Sequence, residues 1–246
     1  QITGDGDCLA IGGNHFIHAV RRNIDINIIL FNNEIYGLTK GQYSPTTKRG
    51  QVTKTSPMGT IETPFNPGEL TIGCRGTFFA RAIDNNIQLC TDVMIQAQNH
   101  KGTSVVEVLQ NCVIFNNGAH EYYTNRNEKE DRQVILEHGK AMVFGKEKNK
   151  GIVLKGMELQ VVTIGKDGIT EADILIHDAH NQNPTIHNML VSMKGPDFPI
   201  ALGVIRDVTE PTYDDALIEQ IETARNTSHI HCMDELFSSG EIWEIK

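Results

Sequence analysis

No stretch of the 246-residue chain holds the roughly 18 consecutive apolar residues that a bilayer-spanning helix needs, so nothing in it reads as membrane-inserted. Basic charge is in deficit. The 22 Lys and Arg stand against 31 Asp and Glu, a formal net charge of −9, which excludes the basic face that general nucleic-acid binding requires. Cysteine is scarce too. The five present, Cys8, Cys74, Cys90, Cys112 and Cys232, are scattered, odd in number and without a Cys-x-x-Cys pair. That pattern excludes a secreted disulfide framework and suits a reducing cytoplasm. Internal repeats and low-complexity tracts are lacking as well. The first residue is Gln, lying at the end of a strand whose beginning is absent, so the chain reads as a fragment or a processed product; no signal peptide explains that start. The length suffices for one full α/β core, alone or with a smaller extension.

What is present is concentrated near the start. Gly4-Asp5-Gly6-Asp7 is followed, at the end of an apolar run, by Asn32-Asn33. Ile2 and Thr3 read as the tip of a strand. Asn14 to Arg22 carries Phe16, Ile17 and Val20 at helical spacing, and Asp25 to Phe31 is rich in β-branched residues, as a buried parallel strand is. In a right-handed βαβ unit neighbouring parallel strands end on one sheet edge, so Asp5 and Asn33 are expected to meet there. A hard divalent ion bridging two phosphates takes oxygen ligands, and Asp5, Asn33 and the Ile35 carbonyl would supply them to Mg²⁺. Gly4 and Gly6 would admit an anion close to the main chain, and Gly12-Gly13 precede a helix whose free N–H groups favour negative charge. Asp7 and Cys8 follow closely enough to touch phosphate. The plainer reading of Gly-Asp-Gly alone is a turn that ends a strand.

The Gly-Asp-Gly with a later Asn pair is similar to the diphosphate-binding pattern of thiamin diphosphate (TPP) enzymes. The segment Tyr36-Gly37-Leu38-Thr39-Lys40-Gly41-Gln42-Tyr43-Ser44-Pro45-Thr46-Thr47, then Thr55 to Gly59, Thr77 to Arg81, Gln110 to Asn116, Asp197 to Arg206 and Tyr213-Asp214, resembles the β subunit of 2-oxoacid:ferredoxin oxidoreductases, most of all the 2-oxoglutarate type. The resemblance implies oxidative decarboxylation of a 2-oxoacid with coenzyme A, electrons leaving to ferredoxin, and an α subunit that contributes the activating carboxylate, so that the chain alone would be inactive. It implies diphosphate contacts at Gly37, Leu38 and Thr39, and makes Lys40 a partner for a substrate carboxylate or a phosphate oxygen. It also implies a four-iron four-sulfur cluster with four cysteine ligands. Cys112 matches one of them, and the other three have no counterpart here. Without the resemblance, Cys112 reads as a small buried hydrophobe and Lys40 as a solvated loop residue.

Further along, Lys40 to Pro67 is a Thr-, Gly- and Pro-rich loop read as the wall over the cofactor. Gly68 to Gly73 predicts a short helix, Thr77 to Ala82 a strand, Ile87 to His100 a helix with Leu89, Val93, Met94 and Ala97 on one face, and Thr103 to Leu109 a strand broken in its apolar run only by Ser104 and Glu107. Glu121 to Lys150 is charged enough for an exposed face or linker. Strands are predicted at Ile152 to Leu154, Leu159 to Ile164, Ile174 to Ile176 and Ile200 to Val208, helices at Pro184 to Met193 and Tyr213 to Arg225. The expected architecture is α/β: a doubly wound parallel sheet of the thiamin diphosphate-binding type over residues 1–118, with a C-terminal α+β extension, 119–246, packing on the sheet and on a partner subunit. His229, His231 and Cys232 lack the paired ligands of a zinc site, and His177, His180 and His187 share no face, so surface or structural roles are expected for them. His15 and His18 are read as helix histidines. Two other functions are compatible with the sequence: a non-oxidative TPP-dependent decarboxylase or synthase, and a non-catalytic assembly subunit.

Overall fold

The computed structural model describes residues 1–241 and Trp243. Strands β1 (Ile2–Gly4), β2 (Asn27–Asn32), β3 (Phe78–Ile83) and β4 (Ser104–Leu109) lie parallel in the spatial order β1-β2-β4-β3. Every residue of β3 and β4 is buried, which is why these strands read as nearly unbroken apolar runs. Helix α2 (Gly13–Arg22) returns the chain from β1 to β2, after a short helix α1 (Asp5–Leu9). Helix α4 (Ile87–Asn99) joins β3 to β4 and buries Val93 and Ala97 on the sheet, with Leu89 and Met94 partly buried beside them. Caps fix the helix ends. The Asn86 carboxamide accepts from Leu89 N–H, and Asn66 accepts from Gly68 and Glu69 at the start of α3 (Pro67–Gly73), whose first residue is proline.

Four differences from the sequence reading have physical causes. Asp5 to Leu9 is helical, because Asp5 and Asp7 occupy a first turn, where negative charge is favoured. The charged stretch after residue 120 contains two short helices, α5 (Glu121–Thr124) and α6 (Lys129–Arg132), then β5 (Gln133–Leu136), where Val134 and Leu136 point inward from among charged neighbours. Together with β9 (Ile200–Asp207), β5 extends the main sheet to the order β1-β2-β4-β3-β9-β5, and β9 runs antiparallel to β3. The sheet is therefore mixed, mostly parallel. Ile174 to Ile176 forms no strand; a 3₁₀ turn at Glu171–Asp173, capped by Thr170, bends the chain, and only one bridge forms, Ala141 to Ile176.

The second sheet is small and antiparallel: β6 (Val143–Phe144), β7 (Lys150–Lys155) and β8 (Glu158–Thr163), with Gly156 at φ +65 turning β7 into β8. It shares the main core. One apolar cluster runs from Cys8, Phe16 and Val20 through Val134, Ile152 and Leu159 to Leu190 and Ile205. Residues on both sides of position 118 thus fill a common interior, and α7 (Thr185–Ser192) closes it. Helix α8 (Tyr213–Thr227) forms where periodicity predicts it, yet buries no residue. Asn23 ties α2 to the rest: it takes the left-handed C-cap at φ 51, accepts from Thr77 and Thr103, and donates to the Glu210 and Pro211 carbonyls.

Candidate cofactor site

Parallel pairing places the ends of β1, β2, β3 and β4 on one edge, and Asp5, Asn33 and Cys112 all follow directly from it. Asp5 is 1% exposed. Its Oδ2 accepts from the Ser44 hydroxyl (2.5 Å) and the Thr46 hydroxyl (2.6 Å), and the Asn33 backbone N–H also serves the carboxylate. Burial pushes this carboxyl above the usual range, against the pull of those donors. Asn33 Oδ1 accepts from Ile35 N–H at 3.3 Å, so its carboxamide oxygen sits against the Ile35 peptide. Asp5, Asn33 and Ile35 are thereby brought together.

The residues present fit a hard cation. Asp5 is a buried carboxylate with no Lys or Arg hydrogen-bonded to it among the described residues, and its side-chain partners are two hydroxyls. The carboxylate and the two hydroxyls beside it are oxygen chemistry, suited to Mg²⁺. No group of three His, Cys, Asp or Glu able to hold a metal occurs among the described residues, and the proposed set needs none, since two of its three ligands are an amide and a carbonyl. A Cβ built on Gly4 meets nothing within 4 Å, which leaves open space beside Asp5 for an anion. Gly6 has a different reason to be glycine. Its Cβ would lie 2.1 Å from the Tyr36 ring, whose hydroxyl donates to the Gly6 carbonyl. Gly12 is likewise a packing glycine, its Cβ meeting the Asp7 carbonyl at 2.5 Å.

Other expected contacts are placed differently. The Cys8 thiol packs into the core and burial, with Asp5 and Asp7 nearby, pushes its pKa up to about 12, so its side chain is an inert hydrophobe and not a phosphate contact. Asp7 is exposed. Gly37 to Lys40 form a tight turn closed by Tyr36 and Gln42, with Lys40 at φ +63. Leu38 is 96% exposed, and Thr39 and Lys40 are exposed as well, so their side chains leave the interior. Lys40 lines a cavity of about 340 Å³ together with Ile35, Gln51, Lys54 and Phe115. This cavity lies between the Lys40 turn, the long loop and the segment after Cys112. A larger one, about 660 Å³ between α4, β5 and β9, lies toward the opposite end of the sheet and has no part in this chemistry.

A four-iron four-sulfur cluster needs a thiolate at each iron. Cys112 stands at the right edge, half-buried, its backbone bridged to Asn116. The others are elsewhere: Cys8 in the core, Cys74 at the end of α3, Cys90 in α4, and Cys232 exposed ahead of α9 (Met233–Ser238). The residues of this chain do not fit a four-thiolate site. His177 and His187 are buried and structural, donating to the Val204 and Asp178 carbonyls, while His229, His231 and Cys232 are exposed.

Sequence reasoning missed the residues that surround Asp5. Ser44 and Thr46 reach it from the long loop; Asn32 accepts from Thr46 at 2.9 Å and donates to Glu107 at 2.7 Å; Arg81 pairs with Glu107 at 2.6 Å. Glu34, at φ 57 and buried, has its carboxyl raised by burial despite Lys48 at 3.2 Å, and His120 donates to the Asn32 carbonyl. One signal was available: a Glu and an Arg, each inside an apolar strand, face one another in register.

Residues 1–108 match the family described as thiamine pyrophosphate enzyme, C-terminal TPP binding domain. Over 247 aligned residues, 99% of this chain, it is 41% identical to the 2-oxoglutarate oxidoreductase subunit KorB of Mycobacterium tuberculosis, covering 65% of that protein. The chain is thus similar to 2-oxoacid oxidoreductase subunits. The 2-oxoglutarate synthase subunit KorB of Archaeoglobus fulgidus is 48% identical over 109 residues, 44% of this chain and 41% of that one. Among solved structures, the 2-oxoglutarate:ferredoxin oxidoreductase from Magnetococcus marinus, with 2-oxoglutarate, coenzyme A and succinyl-CoA bound, superposes with a TM-score of 0.71 over 97% of this chain and 66% of that one at 23% identity, which establishes the shared fold. The chain therefore spans about two thirds of the length of the mycobacterial subunit.

Proposed function

We propose that this chain is the TPP-binding β subunit of a 2-oxoacid:ferredoxin oxidoreductase that acts with an α subunit on 2-oxoglutarate or a related 2-oxoacid, yielding acyl-CoA and carbon dioxide in the cytoplasm. The observation that supports the reading is the buried Asp5 carboxylate at a strand end beside the Asn33 N–H, with Asn33 Oδ1 against the Ile35 N–H, inside the segment that matches a TPP-binding domain. Asp5, Asn33 and the Ile35 carbonyl would hold Mg²⁺ and, through it, the diphosphate. Bound TPP supplies the carbanion chemistry that decarboxylation of a 2-oxoacid needs. The chain's own part is to orient and to balance charge. Ser44 and Thr46 fix the Asp5 carboxylate, the Gly37 to Thr39 turn would contact the diphosphate, and Lys40, on the rim of the cavity with Ile35, would pair with a substrate carboxylate.

Electron transfer to ferredoxin is proposed of the assembled enzyme. It is routed through no residue here, since Cys112 by itself cannot hold a cluster. The test is Mg²⁺-dependent TPP binding to the full-length αβ complex, followed by viologen reduction with several 2-oxoacids and coenzyme A. Asp5→Ala is expected to abolish the metal-dependent binding. Unchanged TPP affinity in that variant would refute the metal assignment, and binding without viologen reduction would favour a non-oxidative enzyme or an assembly role.

A further inference from the structure

Hydrogen-bonding groups around Asp5 do not balance. The Arg81–Glu107 pair is buried on both sides, 4% and 2% exposed. A carboxylate has only acceptors to offer, and with Oε2 of Glu107 on the Arg81 guanidinium its Oε1 faces the NH₂ of Asn32 at 2.7 Å. The Asn32 carbonyl oxygen is thereby turned the other way, onto the Thr46 hydroxyl at 2.9 Å. That hydroxyl has one proton and already lies 2.6 Å from Asp5 Oδ2. Two acceptors compete for it. Ser44 is the other hydroxyl on Asp5, and it bonds the same oxygen, leaving Oδ1 without a side-chain donor among the described residues.

We infer that Glu107 is a positioning residue for the metal site: by fixing the Asn32 carboxamide as a second acceptor for the Thr46 proton it weakens one side-chain donor on the buried Asp5 carboxylate and so favours a divalent cation there. The inference rests on the proposed TPP·Mg²⁺ site. A cation on Asp5 would lower its demand on Thr46, whose proton would then rest on Asn32. Arg81 holds the far end of this chain of contacts, and also donates to the Asn66 carboxamide that caps α3, where the long loop ends. Thr46, through Asn32, and Asn66, directly, are therefore both linked to one buried ion pair.

Glu107→Gln reverses the orientation. The Gln oxygen stays on the Arg81 cation, its NH₂ faces Asn32, the Asn32 carboxamide turns over, and the Thr46 proton passes wholly to Asp5. Mg²⁺ titrations of TPP binding, read by calorimetry on the full-length αβ complex, are expected to show about tenfold weaker Mg²⁺ affinity, the scale at which groups behind a metal ligand act. In a Thr46→Val background, Glu107→Gln is expected to change Mg²⁺ affinity by less than about twofold, while a Thr46→Ser background keeps the full effect. Asn32→Ala, which leaves the Arg81–Glu107 pair intact, is expected to weaken Mg²⁺ in the same direction, and it decides the matter should Glu107→Gln fail to fold. Equal effects of Glu107→Gln in the wild-type and Thr46→Val backgrounds, or Mg²⁺ affinity untouched by Asn32→Ala, would overturn the inference and leave the cofactor assignment standing. A wild-type complex that binds TPP without Mg²⁺ would remove both.

Discussion

At the scale of single residues, the glycines around Asp5 separate ligand space from packing. Gly4→Ala adds a methyl where nothing lies within 4 Å, so the unfolding temperature is expected to stay unchanged while affinity for TPP drops. Gly6→Ala puts the same methyl 2.1 Å from the Tyr36 ring, and overpacking of this kind costs about 1–3 kcal/mol. Thermal unfolding of the two variants side by side checks the contrast; equal losses of stability would mean that Gly4 too is a structural glycine. The placing of Asp5 and Asn33 at neighbouring strand ends was legible in the sequence because strand ends, helix period and spacing are all local information. The partners that set their chemistry were not. Ser44, Thr46, Asn32 and Glu107 are brought together from a loop and two strands, and a hydroxyl or a carboxamide carries no pattern that announces its tertiary partner. Gly6 was readable as glycine but not as a seat for Tyr36, for the same reason.

Among the elements, α4 and α8 share a sequence signature and differ in fate. Both were predicted from apolar residues at helical spacing, and both form. In α4 the stripe is buried, Val93 to 1%, and Val93→Ala is expected to cost about 2 kcal/mol through lost contacts and a residual cavity. In α8 the stripe stays open, with Leu217 39%, Ile218 56% and Ile221 42% exposed. Ile218→Lys should shift stability by no more than about 0.5 kcal/mol, as surface changes do. Denaturant titration reads both, and a large loss for Ile218→Lys would place α8 inside the cooperative core. Periodicity finds a helix and its apolar side; whether a surface is available to receive that side depends on the rest of the chain. The reverse error occurred at β5, whose four residues alternate correctly but are too short to stand out from the charges on either side.

For the molecule as a whole, the junction between the α7 segment and the main sheet rests on a histidine that must stay neutral. His187 is 1% exposed; its Nε2 donates to the Asp178 carbonyl at 2.8 Å and its Nδ1 accepts from Arg206 of β9 at 3.0 Å. Burial, with the guanidinium adding to it, pushes its pKa down to about 4. The folded value lies below the ordinary one near 6.5, so above about pH 7 the ring is neutral in both states and adds no pH dependence. As pH falls below 6.5 the unfolded chain takes up a proton that the folded chain refuses, and stability drains at about 1.4 kcal/mol per pH unit until roughly pH 4, near 3 kcal/mol in all. His177, also buried and shifted down by burial, adds in the same direction. Asp5 and Glu34, raised by burial, act oppositely, gaining as pH falls toward the carboxylate range. Unfolding midpoints measured from pH 7.5 to 4.5 are expected to fall once pH drops below about 6.5 in the wild-type protein, and less steeply in His187→Gln, whose carboxamide can keep one donor and one acceptor without taking a proton. Parallel curves for the two proteins would show that the acid sensitivity arises elsewhere and that the α7 junction does not control it.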